Sequence, residues 1–254
     1  MKNKFTVRQV AKSDVDEIGL LFEENFDIKF FSEEYNWRYF KNPSSYSIKL
    51  NTIAINSKNK IIGHTAFVSS KFLYNGKIKK GALSSGSVVS KGNTGVFPML
   101  YLKLEEQLLK FNYDFLYAFP NNLSYPFFVK YFKYKEHYFE NFQLDVENIN
   151  HIKIHKNFSF EKNNLINLMN VDYVKWRFLD SPKNNYFHKT FDGFKFYYKP
   201  YLSNEIDLLG VLPQDETILT CDHFFKFLNF FNKKTKVNIY STNKSFSSLL
   251  KCLG

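Results

Sequence analysis

The sequence predicts an α/β protein with mixed sheets and two related halves. Strand-like runs of alternating apolar residues lie between segments of helical periodicity, which indicates the mixed class. One motif, Trp-Arg-aromatic followed by three residues and a proline, occurs twice, as WRYFKNP at 37–43 and WRFLDSP at 176–182. The chain has 254 residues, 44% of them hydrophobic, which is enough to bury a core in each half.

The first half is predicted to run strand, two helices, three strands, helix, strand and helix. The opening KFTVRQV alternates as a strand does, and Ser13 and Asp14 are expected to cap the helix DVDEIGLLFEENF. A second helix begins near Ser32 and ends before Pro43, because a residue before proline disfavours the helical conformation. The remaining segments are the strands TIAINS, KIIGHTAFVSS and ALSSGSVVS, a helix beginning in GVFPML, the strand YDFLYAFP and an amphipathic segment ending near Tyr134.

From about residue 158 a similar order of elements begins again. Its segments are a helix reaching DYVKWRFLDSP, the strands NYFHKTF and FKFYYKPYL, the helix DHFFKFLNFF, the strand KVNIYSTN and a terminal SFSSLLKCLG. The strand ends YAFPNNLSY and YSTNKSF also correspond, since each passes through asparagine to a serine and an aromatic residue that enter a helix. We therefore predict two related halves, 1–145 and 146–254.

The composition favours a globular protein of the cytoplasm. No apolar targeting segment follows the first residues, and no apolar run reaches the roughly 20 residues that a membrane span needs. Cys221 and Cys252 are too few for a disulfide framework, and their spacing to histidine does not predict a metal site. We therefore expect no bound metal.

The basic charge does not by itself indicate a nucleic-acid partner. A net charge of +11 and 19% aromatic residues are compatible with binding of single-stranded nucleic acid. Arginine occurs only at Arg8, Arg38 and Arg177, however, and the lysines are scattered along the chain. A solvated basic surface explains this pattern better, although it would still attract an anionic metabolite.

The two tryptophans of the repeated motif allow two interpretations. In a structural role, Trp37 and Trp176 each anchor a helix end in the core of their own half, while Arg38 and Arg177 reach solvent or helix-terminal carbonyls. In a functional role, these four residues line a cleft between the halves and bind a substrate. An aromatic face suits a sugar ring, and a guanidinium suits a phosphate. Both interpretations stay open at the level of the sequence.

A phosphate is expected to bind at VVSKGNTGVFPML, where a strand ends and a helix begins. Gly92 and Gly95 let the backbone turn tightly, and the helix N-terminus offers unpaired amides and a partial positive charge. Lys91 adds a full charge. The spacing fits neither the dinucleotide-binding fingerprint nor a P-loop, and a purely structural turn is the alternative.

The arrangement around this loop resembles the GNAT superfamily of acyl-CoA-dependent N-acetyltransferases. The family's loop reads Gln/Arg-x-x-Gly-x-Gly/Ala, and the stretch from Gly92 to Phe97 matches it strictly only at Gly95. FPNNLS at 119–124 is similar to the family's sequence of strand, asparagine and helix. The resemblance covers about residues 3–140, and it implies a GNAT-like fold with a degenerate second GNAT-like half in tandem.

Acetyl-CoA is the acetyl donor that this resemblance implies. Main-chain amides of the loop would contact its pyrophosphate, and the end of the preceding strand would contact its pantetheine and polarise the thioester carbonyl. The predicted cofactor-binding residues are Val88, Val89, Lys91, Gly92, Asn93, Thr94, Gly95, Val96, Phe97, Asn121 and Asn122. The corresponding turn of the second half, VLPQDETIL, carries Asp215 and Glu216, whose charges would repel a diphosphate. Only the first half is therefore expected to bind the donor.

Transfer to a neutral amine also needs a group that accepts a proton. Family members often place a carboxylate on the strand before the loop, where this chain has Ser84, Ser85 and Ser87, and we include Ser85 among the predicted acceptor-site residues. His64, in IIGHTAF, is the predicted base because its side chain titrates near neutrality. A core histidine without a catalytic role and a water relay are the alternatives. Tyr131 is the predicted acid for the leaving thiolate.

The acceptor is predicted from a finer resemblance. The repeated Trp-Arg motif, GH in a strand and FPN before a helix resemble GNAT proteins encoded with bacterial surface-polysaccharide enzymes. The implied acceptor is a nucleotide-linked amino sugar of the dTDP-3-amino-3,6-dideoxyhexose kind, with cations for its diphosphate and ring faces for base and sugar. A peptide, an aminoacyl-tRNA or a small amine as acceptor, and a non-catalytic nucleic-acid-binding module, stay as alternatives. A homodimer is one option for the oligomeric state.

Overall fold

A computed structural model of the chain describes residues 5–45, 50–93, 95–149, 157–159, 166–167, 169–183, 185–214, 218–241 and 243–253. The chain forms two compact units. The first comprises Met1–Phe72, Ile78–Lys135 and Asn170–Pro182, and the second comprises Leu73–Lys77, Glu136–Met169 and Lys183–Gly254. The second Trp-Arg motif therefore belongs to the first unit. The predicted boundary near residue 145 concerns the two copies in the sequence, and it stays a prediction.

The first unit is built on a sheet whose strands follow in the order β1-β2-β3-β4-β5. These strands are β1 Phe5–Gln9, β2 Asn51–Asn56, β3 Ile61–Tyr74, β4 Lys77–Val89 and β5 Phe115–Ala118. Strand β2 pairs antiparallel with β1 and with β3, whereas β4 and β5 run parallel. A parallel pair needs a crossover connection, and here a helix supplies it.

The helices of the first unit include three short π-helical turns. They are α1 Val15–Phe26, α2 Ser32–Tyr35 continued by the turn Asn36–Phe40, α3 Val96–Lys110, the turn Phe127–Tyr131, and α4 Val171–Val174 continued by the turn Lys175–Leu179. Helix α3 buries the apolar stripe that its sequence predicts, including Leu100, Tyr101 and Leu104. No helix in the described part of the chain is long and apolar enough to cross a membrane.

Asp14 does not cap helix α1 with its side chain. Its carboxylate instead accepts hydrogen bonds from the Ala11 amide at 2.6 Å and from both terminal nitrogens of Arg8, at 2.7 and 2.8 Å. The Arg8 guanidinium lowers the pKa of Asp14 below its usual range. The carboxylate thus fixes the connection between β1 and α1.

The second unit contains a five-stranded sheet in the order β6-β13-β11-β10-β9 and a separate pair of β7 with β12. Its elements are β6 Glu140–Asp145, β7 Asn157–Ser159, β8 Ile166–Asn167, β9 Phe187–Phe191, β10 Phe194–Pro200, β11 Glu205–Pro213, β12 Ile218–Thr220, α5 Cys221–Leu228, β13 Lys236–Ser241 and α6 Lys244–Leu250. A phenylalanine-rich core holds it together, including Phe194, Phe196, Phe224 and Phe227. Strands β6 and β11 were not predicted from the sequence.

The two sheets share a topology. Strands β9, β10, β11 and β13 repeat the order of β2, β3, β4 and β5, and β11 runs parallel to β13 as β4 runs parallel to β5. Helix α5 lies between β11 and β13 in the chain, as α3 lies between β4 and β5. This result confirms the predicted mixed α/β class and supports the predicted duplication.

Candidate functional site

The parallel strands β4 and β5 separate and leave a cleft between them. They pair from Gly81–Phe115 to Ser84–Ala118, and no pairing continues past that point. The resulting cleft has a volume of about 550 Å³. It is lined by residues 83–89 of β4, by 118–121 at the end of β5, and by Phe26, Phe97, Leu123, Ser124, Phe127 and Phe128. None of these lining residues carries a charge.

Gly86 follows closely after the last β4–β5 pair, Ser84–Ala118. Its φ of +65° belongs to the left-handed region, which favours glycine. A Cβ atom at this position would also collide with the hydroxyl of Tyr39. The sequence SSGSVV carried the signal for this irregularity, because a glycine inside a strand pattern indicates a bulge or a close approach.

Two successive residues of β4, Gly86 and Ser87, are each contacted by a side chain of β3. The carbonyl oxygen of Gly86 lies 2.7 Å from Nδ1 of His64. The hydroxyls of Thr65 and Ser87 lie 2.6 Å apart. The cleft wall is therefore fixed from behind.

His64 lies behind this wall and is completely buried. The Gly86 carbonyl can only accept, so Nδ1 carries the proton, and Nε2 accepts from the Tyr35 hydroxyl at 2.9 Å. The Tyr35 oxygen in turn accepts from Nδ2 of Asn51 at 3.2 Å. Both ring nitrogens are thus engaged in the neutral state. The predicted role of His64 as the base stays a prediction, and we assign it another role below.

The burial of His64 makes stability depend on pH. Burial lowers its pKa to about 4, whereas an unfolded histidine has a pKa of about 6.5. Between these values the unfolded chain binds more protons, so acidification favours unfolding. From pH 7 to pH 5 we expect this group alone to remove about 2 kcal/mol from the free energy of unfolding, at about 1.4 kcal/mol per pKa unit.

Urea unfolding at the two pH values measures this loss. His64→Asn lacks a titrating side chain, and its stability is expected to fall by about 2 kcal/mol less than that of the wild type over the same interval. An equal loss in both proteins would contradict the burial and the neutral state of His64.

The predicted phosphate loop connects β4 to α3 and is tied to β3. The Ser90 amide donates to the Ile62 carbonyl at 3.0 Å. Two turns follow, because the Asn93 amide donates to Ser90 and the Val96 amide donates to Asn93. Gly92 has a φ of +82°, which only glycine adopts freely. These bonds lead the chain from the cleft wall into the first turn of α3.

The N-cap residue of α3 is Gly95, which is exposed. Among the described residues, no side chain caps this helix. A Cβ atom at Gly95 would meet nothing within 4 Å. Lys91 is exposed beside it, and Phe97 lines the cleft. Thr94 lies outside the described residues, as do Asp215 and Glu216 of the second half.

The strand-end asparagines differ in their positions. Asn121 lines the cleft, and its Oδ1 accepts from the amides of Leu123 and Ser124 at 3.1 and 2.9 Å, which shapes the turn after β5. Asn122 is exposed and is not among the lining residues. Tyr131 is 57% exposed and does not line the cleft either. Its predicted role as the acid stays a prediction.

The two tryptophans contact each other, which neither interpretation of the sequence predicted. Their rings stack with centroids 4.9 Å apart and planes at 21°. Nε1 of Trp37 donates to the Trp176 carbonyl at 2.7 Å, and Nε1 of Trp176 donates to the Trp37 carbonyl at 2.8 Å. Their exposed fractions are only 7% and 6%. This reciprocal pair joins the two copies of the motif within the first unit.

The arginines of the motif lie beside this pair. Arg38 forms an ion pair with Glu34 at 2.5 Å, one helical turn earlier, and the guanidinium of Arg177 lies 5.5 Å from the Phe178 ring. A second groove, of about 920 Å³, is lined by both tryptophans but by neither arginine. The four residues do not line the β4–β5 cleft, and their predicted role in substrate binding stays a prediction.

The structure thus brings part of the predicted site together. Of the predicted residues, Ser85, Val88, Val89, Phe97 and Asn121 line one cleft. Sequence reasoning missed Tyr39, Thr65 and Gly86. Among the described residues, no group of three or more histidine, cysteine, aspartate or glutamate side chains could hold a metal ion.

Solved structures resemble the whole chain in fold. A GCN5-related N-acetyltransferase from Kribbella flavida superimposes with a TM-score of 0.65 at 10% identity, over 96% of this chain and 66% of that protein. A probable N-acyltransferase from Enterococcus faecalis gives 0.63 at 11% identity, over 94% and 66%. A GCN5-related N-acetyltransferase from Anabaena variabilis gives 0.61 at 12% identity, over 96% and 68%. The chain has the fold of the GCN5-related N-acetyltransferases.

This likeness lies in the fold and not in the sequence. No protein-family model matches the chain, and no curated protein matches it either. The chain spans 66% of the length of the Enterococcus and Kribbella proteins. The comparisons therefore show the fold of the chain and not its substrate.

Proposed function

We propose that the first unit binds acetyl-CoA in the β4–β5 cleft and transfers its acetyl group to an amine. The observation that carries this proposal is the end of the β4–β5 pairing at Ser84, just before Gly86 with its left-handed φ and the loop that leads into α3. An extended pantetheine arm can enter such a cleft as a strand would. A diphosphate can bind at the N-terminus of α3, where the helix dipole places a partial positive charge.

The residues present are suited to this donor. The volume of about 550 Å³ lies in the range of small-molecule sites, and the lining combines apolar side chains with the serines of β4. Gly95 has open space around it, and Lys91 adds positive charge beside the helix N-terminus. The absence of charge inside the cleft suits the neutral thioester arm.

The transfer is proposed to proceed by direct attack. The lone pair of a neutral amine attacks the thioester carbonyl carbon, and main-chain N–H groups of β4 stabilise the charge that develops on the carbonyl oxygen. The carbon–sulfur bond then breaks and the thiolate leaves. Water accepts the proton from the acylated nitrogen and supplies one to the thiolate. The chain's contribution is positioning and fixed donors, because no carboxylate is among the described residues that line the cleft.

The acceptor we propose is the amino group of a nucleotide-linked amino sugar, of the kind used in bacterial surface-polysaccharide synthesis. Exposed rings at the cleft, Phe26 and Phe119, offer faces for a sugar or a base. The net charge of +11 would attract the diphosphate from outside the uncharged cleft. A product assay with acetyl-CoA against such sugars, polyamines, peptides and aminoacyl-tRNA tests this choice. If only another class of amine is acetylated, that class replaces the nucleotide-linked sugar as the proposed acceptor, and the proposal of acetyl-CoA as the donor is kept.

Gly95→Glu is expected to remove acetyl-CoA binding while the protein stays folded. The new carboxylate would lie about 4 Å from a bound diphosphate, where repulsion near a protein surface is about 4 kcal/mol, or roughly 10²- to 10³-fold in Kd. A negative charge at a helix N-terminus does not destabilise the helix. The loss is measured as the disappearance of the thermal shift that acetyl-CoA produces in the wild type.

Gly95→Ala is the matched control. Its methyl group meets nothing within 4 Å, and the φ of −68° suits alanine. This variant should keep the thermal shift. An unchanged shift in Gly95→Glu as well would show that the diphosphate does not bind at α3.

A further inference from the structure

We propose that His64 is a positioning residue, which holds the Gly86 carbonyl so that the main-chain N–H groups of β4 beyond it face the cleft. The inference rests on the proposed function for its catalytic consequence. Its geometric content is independent of that function. It gives this side chain a role other than proton transfer.

The bond from His64 sets the direction of the peptide after Gly86. His64 belongs to β3, and its Nδ1–H donates to the Gly86 carbonyl at 2.7 Å. This peptide bond is trans, so its N–H, which belongs to Ser87, points opposite to its carbonyl. The carbonyl faces β3. The Ser87 N–H is therefore turned to the other side of β4, where β5 has separated and the cleft lies.

The bond from His64 is a side-chain contact to the Gly86 peptide itself. Thr65 contacts only the side chain of Ser87, and such a bond does not fix the rotation of the peptide between residues 86 and 87. Glycine has the widest choice of backbone conformation, so its peptide is the one most in need of a partner. The bond from His64 meets that need.

The surroundings of His64 suit an anchor better than a base. The rings of Phe22, Tyr35 and Tyr39 lie around it, with centroids 5.8, 5.6 and 6.2 Å away. The two hydrogen-bond partners of the imidazole, the Gly86 carbonyl and the Tyr35 hydroxyl, are both uncharged. Nε2, the nitrogen without a proton, faces Tyr35 in the core.

Two substitutions separate positioning from proton transfer. In His64→Asn, Nδ2 takes the place of Nδ1, so the donor to Gly86 is kept and the imidazole is lost. In His64→Leu, both the hydrogen-bond donor and the imidazole are lost, while the side chain keeps a similar volume. We expect His64→Asn to retain kcat within about fivefold of the wild type and to keep the same pH profile. We expect His64→Leu to lose about 100-fold in kcat, with a smaller change in KM for acetyl-CoA. A small displacement of catalytic groups has an effect of that size.

A base would give another result. Equal losses in both variants, with the acidic limb of the pH profile removed, would overturn the proposal. So would full activity of His64→Leu, because the anchor would then be unnecessary.

A spectroscopic readout keeps the test independent of activity. In protein labelled with ¹⁵N-histidine, His64 is expected to show a protonated Nδ1 and an unprotonated Nε2 at pH 7. A charged ring or the opposite tautomer would refute the anchor whether or not the protein is an acetyltransferase. If wild type shows the expected tautomer but no turnover and no response to acetyl-CoA, the proposed function fails and the structural role of His64 stands.

Discussion

Gly86→Ala is expected to lower turnover by about 100-fold or more, since catalytic geometry is sensitive to displacements of about 1 Å. The added methyl group would collide with the Tyr39 hydroxyl, and alanine would have to adopt a φ of +65°. Relief of the collision requires either Tyr39 or β4 to move. Each of these movements changes the cleft wall that the serines of β4 form.

The same substitution should also reduce stability. A left-handed conformation costs a non-glycine residue about 1–2 kcal/mol, and overpacking in a core costs about 1–3 kcal/mol. We therefore expect the free energy of unfolding to fall by roughly 2–5 kcal/mol, as measured by urea denaturation. Acetyl-CoA should give a smaller thermal shift in this variant than in the wild type.

Gly76→Ala is the matched control for backbone strain. Gly76 has a φ of +70°, but nothing lies within 4 Å of a Cβ atom there. It lies in the turn between β3 and β4, at the far end of β4 from the cleft. This variant should lose only about 1–2 kcal/mol and keep its turnover. Equal losses of stability and turnover in Gly86→Ala and Gly76→Ala would show that Gly86 does not shape the cleft.

Trp176→Ala is expected to reduce the free energy of unfolding by about 3–5 kcal/mol, as for other buried tryptophans. The substitution removes a stacked ring, leaves a cavity and deprives the Trp37 carbonyl of its donor in a buried place. Urea unfolding measures the loss. The control is Leu179→Ala in the same π-helical turn, where 64% of the side chain is exposed and a change within about 0.5 kcal/mol is expected.

A double-mutant cycle tests whether the two tryptophans act as a pair. Trp37→Phe and Trp176→Phe each keep an aromatic ring and remove one indole N–H. Because the bonds are reciprocal, we expect a coupling energy of about 0.5–3 kcal/mol between the substitutions. The near-ultraviolet circular dichroism should carry a signal of the stacked indoles, since they are the only two tryptophans in the chain. Additive effects and no such signal would refute the pair.

The order of the elements along the chain and the glycine loop could be predicted because both depend on short stretches of the sequence. Period-two and helical patterns lie within single segments, and the turn at Gly92 and Gly95 needs no distant partner. The fold class was confirmed for this reason. Strand β11 was missed because only its opening EIDL alternates, and the LGVLP that follows does not.

The support of the cleft could not be predicted, because it depends on contacts between distant residues. His64 is a plausible base in sequence, and only the approach of Tyr35 and Gly86 to its two nitrogens shows that both are engaged. The tryptophans lie 139 residues apart, and the repeat indicated that their segments are related but not that they touch. Patterns of one sequence report local periodicity and say little about such pairings.

The most direct test of the account is a crystal structure of the chain with coenzyme A. We predict that the pantetheine arm lies between β4 and β5, beside residues 85–89, and that the diphosphate contacts the loop at 91–96. Two results would contradict the proposal that the first unit is the acetyl-CoA site. One is a coenzyme bound between β11 and β13. The other is a β4–β5 cleft without coenzyme in crystals grown at a saturating concentration of it.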